Sequence, residues 1–157
     1  MRLLFLAIFS SAMAFVESAV VVYLRALFYP HGMTDVLVGF PQSFYGTEVF
    51  REAATIIMLV SVALLSARKN WWDRLAYFLW CFGIWDIFYY FWLFVLIAWP
   101  PSLFTQDVLF LIPVPWIAPV IVPIAISCSM ILVTLLILSM KTESLRDGLW
   151  RESRRNG

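Results

Sequence analysis

Gly46–Ser66, GTEVFREAATIIMLVSVALLS, is an apolar run that carries Glu48, Arg51 and Glu52 near its start. A bilayer core of ~30 Å takes ~20 residues of helix, so the run is long enough to span. Charge inside a spanning helix is costly and is normally turned toward a bundle interior, a wet cavity or an opposite charge. Glu48, Arg51, Glu52 and Thr55 recur at three- and four-residue spacing, which puts them on one helical stripe. The sequence therefore predicts a spanning helix over 47–66 with a polar stripe at its front end, and the remaining chain is read by asking what that stripe faces.

The totals agree with a membrane setting. Of 157 residues, 63% are hydrophobic and 13% charged, against about a quarter charged in soluble domains. Aromatics make up 18%, and the mean hydropathy is +0.89. A net charge of +1 with no basic, aromatic-interleaved patch excludes nucleic acid as a partner. Cys81 and Cys128 both lie in apolar runs and read as small packing residues. With His31 as the single histidine, the chain has no bis-histidine haem pair. It has no C-x-x-C or H-E-x-x-H motif either, so no metal site and no cofactor are predicted.

Outward from the central run, three further spans are expected. Leu3–Tyr29 follows Arg2 and contains Ala12-Met13-Ala14, which mimics a secretory cleavage site, but its apolar run continues past that point and reads as a retained helix. Ala7, Ser10, Ala14 and Ser18 give it a small-residue packing face. Pro30-His31-Gly32 ends it, and the segment to Tyr45 reads as a surface loop or short interfacial helix. The third span, 71–99, has tryptophans at both ends, as interfacial belts do. Asp86 lies near its middle, and Pro100-Pro101 stops it. A proline-interrupted stretch then reads as a loop dipping toward the membrane. It leads into a fourth helix over 116–140, irregular in its first turns, and a basic tail over 141–157.

Four spans place both termini on one side. That side holds Arg2, Arg68, Lys69, Arg74, Lys141, Arg146, Arg151, Arg154 and Arg155, nine of the eleven basic residues. The positive-inside rule makes it cytoplasmic. The expected fold is an all-α integral membrane protein, an antiparallel four-helix bundle in a bacterial inner membrane.

Depth follows from helical rise. At 1.5 Å per residue, Glu17 lies about 21 Å along the first span and Asp86 about 22 Å along the third, both in the outer half. Glu48 and Glu52 enter the second span from that same side. The non-cytoplasmic acids are Glu17, Asp35, Glu48, Glu52, Asp86 and Asp107, set against Arg25 and Arg51. Two arginines cannot neutralise them, which predicts a polar pocket open to the outside. Its expected ligand- or ion-binding residues are Glu17, Glu48, Glu52, Asp86, Arg25, Arg51, Tyr89 and Tyr90, with Gln106 and Asp107 over the mouth. The competing structural reading is that the charges are buried ion pairs fixing helix register.

Three functions fit this pattern. The first is binding or passage of a proton, a cation or a small ligand, with homo-oligomerisation. The second is an accessory or assembly subunit of a larger membrane complex, and the third an enzyme acting on a lipid or isoprenoid by acid catalysis. G-x-S-x-G, Walker A and G-x-G-x-x-G are absent, so no enzyme motif favours the third. The partner common to all three is the lipid bilayer.

Overall fold

The computed structural model describes residues 1–28, 42–67, 70–112 and 114–155. The turn at Pro30-His31-Gly32, the surface segment with Asp35, and the Arg68-Lys69 pair lie outside the described residues. The chain forms α1 (Arg2–Phe28), α2 (Gln42–Ser66), α3 (Trp71–Ile97), β1 (Gln106–Phe110), β2 (Trp116–Pro119) and α4 (Ile121–Arg155). Within these, Arg2–Phe28, Phe44–Ser66, Trp71–Ile97 and Ile121–Thr142 are long and apolar enough to cross a membrane.

The central element is α3, which packs mainly on α1 and α4 and less extensively on α2. Its start is fixed by Asn70, whose side chain accepts a hydrogen bond from the Trp72 amide at 3.1 Å and so satisfies one of the free N–H groups of the first turn. Its end is the left-handed Ala98 (φ 53°), whose amide bonds the Phe94 carbonyl, and two prolines follow that cannot continue the helix.

Hydrogen bonds set the heights of the helices. The indole N–H of Trp80 donates to the Leu3 carbonyl (2.9 Å) and that of Trp92 to the Ser11 carbonyl (3.0 Å), so residue numbers rise together along α1 and α3. Ser18 adds a bond from its hydroxyl to the Tyr89 carbonyl (3.0 Å). Ser10, Ala14 and Ser18 are fully buried, as a face of small side chains allows when two helices approach closely. Along α4, Ser127, Thr134 and Lys141 recur every seven residues and all face α3. They bond the Asp86 carboxylate (2.7 Å), the Ala76 carbonyl (2.9 Å) and the Asp73 carboxylate (2.6 Å). Gly83 lets these helices touch, because a Cβ there would lie 2.9 Å from the Ser127 carbonyl oxygen. Leu6, Met13, Leu59, Ala63, Tyr77 and Cys81 belong to the apolar core.

The region after α3 differs from the expected irregular helix. Residues 116–119 are not the start of a helix but a strand, antiparallel to 106–110 in the register Asp107↔Ala118, Val108↔Ile117 and Phe110↔Trp116, with an irregularity between Val108 and Phe110. The β-branched and aromatic residues of these segments suit a pleated pair. Pro119 sits where β2 ends, and Pro123 falls in the first turn of α4, where a missing N–H costs no helical bond. Helix four therefore begins at Ile121, and it continues to Arg155, past the apolar window that closes at Thr142. The second helix likewise begins at Gln42, five residues before the expected Thr47.

Candidate functional site

A cavity of about 60 Å³ lies between α1, α2, α3 and the hairpin. Its polar lining comes from four elements: Glu17 of α1; Arg51, Glu52 and Thr55 of α2; Asp86, Tyr89 and Tyr90 of α3; and Asp107 of β1. Trp85 and the backbone around Val108–Phe110 complete it.

Each acid has its own environment. Glu17 is buried, accepts a 2.6 Å hydrogen bond from the Thr55 hydroxyl and forms an ion pair with Arg51. Arg51 also donates through Nε to Glu48 at 2.8 Å, so one guanidinium serves two carboxylates. That arrangement joins α1 to α2, helices that otherwise make little contact. Glu52 instead reaches the hairpin, where both of its oxygens accept from the Leu111 amide at 3.0 and 2.9 Å. Asp86 and Asp107 are both buried, and each has a neutral donor, the Ser127 hydroxyl for Asp86 and the Tyr90 hydroxyl (3.0 Å) for Asp107. Burial pushes the Asp107 carboxyl up to about 6, against the opposing pull of the Tyr90 hydroxyl and the Arg25 charge.

Of the eight residues expected at the site, Glu17, Arg51, Glu52, Asp86, Tyr89 and Tyr90 line the cavity. Glu48 stands one contact behind, on Arg51. Among the described residues Arg25 takes no part in the ion pairs: its guanidinium lies 3.9 Å from the centre of the Trp99 ring, and Tyr90 stacks on that same ring at 6.2 Å. Asp107, expected over the mouth, is part of the lining, brought there by the strand that sequence reading took for a loop. Sequence reading also missed Ser127, Trp85 and the Leu111 amide. For Ser127 a signal existed in the heptad spacing of 127, 134 and 141, which puts three polar side chains on one helix face. The other two depend on tertiary placement and leave no such mark.

Trp85 is the unusual member of the lining. It is buried, its ring stacks near Tyr89 and Phe110, and its indole N–H has no acceptor among the described residues. The indoles of Trp80 and Trp92 on the same helix both reach a carbonyl of α1.

Chemically, the site holds five carboxylates (Glu17, Glu48, Glu52, Asp86 and Asp107) near two guanidiniums (Arg25 and Arg51). Were all ionised, a net charge of −3 would be enclosed (five acids less two bases), which is unfavourable in a low-dielectric interior unless a proton or cation joins it. Among the described residues, no three His, Cys, Asp or Glu side chains come together as a metal-holding group. Comparison of the chain with protein-family models, curated proteins and solved structures returned no match.

Proposed function

We propose that this chain is a four-span protein of the bacterial inner membrane, an antiparallel bundle with both termini cytoplasmic, that takes up a proton or small cation from the outer side. The opposed numbering of α3 against α4, together with the clustering of basic residues at one end of the spans, supports that topology. The observation that carries the function is the convergence of four carboxylates and a single guanidinium on one cavity of about 60 Å³. Its size also favours a small species. Pockets for drug-sized ligands run from ~300 Å³ upward, so an isoprenoid or lipid substrate does not fit this chamber, while a few water molecules do. A chamber of this size supports uptake of a small species better than acid catalysis on a lipid.

Asp86 is the residue on which uptake is expected to depend, because among the described residues its donor is a neutral hydroxyl and no arginine pairs with it. The test is proton uptake by the purified protein in nanodiscs after a downward pH jump across neutrality. The wild type should take up at least about one proton per chain more than Asp86→Asn, since a buried carboxylate that gains a proton neutralises its own desolvation cost. Equal uptake by a folded Asp86→Asn variant would defeat the proposal.

A further inference from the structure

We infer that the chamber seats water between the indole N–H of Trp85 and the carboxylates of Asp86 and Asp107, and that what it takes up is a proton held on that water and those carboxylates rather than a metal cation. This rests on the uptake reading above and names its substrate.

The argument starts from Trp85. A buried N–H without an acceptor is costly, and the indoles of Trp80 and Trp92 on the same helix both find carbonyl acceptors on α1. Trp85 has none among the described residues and belongs to the lining of the cavity in which the acids meet. A donor in that place calls for an electron-rich partner, and a bare cation cannot be one. Water serves both sides, accepting from the indole and donating to a carboxylate, and the cavity is roomy enough for it.

The carboxylates point the same way. Asp86 and Asp107 each receive one hydroxyl donor, which leaves lone pairs for water. A hard cation such as Ca²⁺ would require ~6–8 oxygens arranged around it, whereas a proton requires one. Facing the two aspartates are Glu17 and Arg25 from α1, Arg51 and Glu52 from α2, and Tyr89 and Tyr90 from α3, while α4 contributes the neutral Ser127. Arg51 is already shared between Glu17 and Glu48, which leaves the two aspartates to the neutral hydroxyls of Ser127 and Tyr90.

Infrared difference spectroscopy of the protein in nanodiscs tests this. Acidification should produce a carboxylic-acid band that is absent from Asp86→Asn, together with a water O–H band that shifts in H₂¹⁸O. Trp85→Phe keeps a ring for Tyr89 and Phe110 to pack on. It should lose the water band and take up its proton about one pH unit higher, a tenfold change in apparent affinity, because the donor that favoured the charged carboxylates is gone. Should Trp85→Phe fail to fold, the benzothienyl analogue of tryptophan at position 85 removes the N–H with the ring shape unchanged. Water bands and midpoints identical to wild type in that variant would overturn the inference while leaving the Asp86 reading intact. So would a wild-type midpoint that moves when sodium, potassium or calcium chloride replaces an organic salt of equal ionic strength. Loss of the acid band in none of the variants would instead defeat the uptake reading itself.

Discussion

Along the seam between α3 and α4, Lys141 meets Asp73, Thr134 meets the Ala76 carbonyl and Ser127 meets Asp86. Where α3 faces α1, α2 and β1, by contrast, five carboxylates gather around two guanidiniums and a handful of neutral donors. The seam matches each polar group to a partner at a fixed helical interval, which is how buried polarity specifies register. The chamber leaves a surplus, and surplus charge in a low-dielectric region stabilises nothing by itself. Asp86 belongs to both, held by Ser127 from the seam and presented to the cavity. The difference suggests that the seam maintains the fold and the chamber carries the chemistry, so damage to the two should separate.

The largest structural effect is expected at Gly83. A Cβ there would meet the Ser127 carbonyl oxygen at 2.9 Å and the Ile131 side chain at 3.0 Å, and the first of these is backbone that cannot swing aside. Gly83→Leu should cost at least ~3 kcal/mol, the upper range for overpacking. The check is the unfolding midpoint in mixed detergent micelles. Near-wild-type stability would mean that α3 and α4 do not approach as closely as described.

Next in size is a pH effect on the hairpin. The Asp107 carboxyl rises to about 6 in the folded chain, from about 3.9 when unfolded. The folded state therefore binds more protons between those values, and stability falls as pH rises through that window. The contribution is fully present below about pH 4 and lost above about pH 6, at most ~3 kcal/mol. Amide exchange across Asp107–Phe110, corrected for its intrinsic rate, should show protection declining over this range, and Asp107→Asn should flatten the profile. A profile unchanged by that substitution would place the titrating group elsewhere.

How much of this was legible beforehand differs between the two regions. The four apolar runs, and the breaks that proline and glycine put between them, placed the four apolar spans to within about five residues, because length and hydropathy are local properties, although the fourth helix runs on well past its expected end. Helical rise put Glu17 and Asp86 at one height, and both line the cavity. The hairpin was not legible. Val108–Ile112 is too short to span, and the prolines at 113, 115, 119 and 123 look like an interrupted helix until a strand elsewhere pairs with Trp116–Pro119. Pairing is non-local, and it is what carried Asp107 from the rim into the lining. The seam was written in the sequence as 127, 134 and 141 but is easily passed over, since serine and threonine in an apolar helix often bond only their own backbone. Ser129 does so here, to the Ala125 carbonyl. The orphaned N–H of Trp85 depends on which indoles reach α1, a matter of packing alone.

The smallest effect sharpens the contrast most. Lys141 reaches both oxygens of Asp73 at 2.6 Å, with the lysine partly exposed and the aspartate buried. Asp73 also lies in the first turn of α3, where the helix dipole favours a negative charge. Lys141→Met therefore leaves Asp73 with some remaining support, and the expected loss is ~1–2 kcal/mol, toward the lower end for a charged hydrogen bond. Asp73→Asn on top of Lys141→Met should recover part of that loss, because no unpaired charge stays buried. Proton uptake should be unchanged in both variants, as neither side chain faces the cavity. Thermal melts and the same pH-jump measurement on each variant provide the check. If Lys141→Met altered uptake while the fold held, seam and chamber would be coupled through α3 and Ser127, and the division of labour between them would have to be given up.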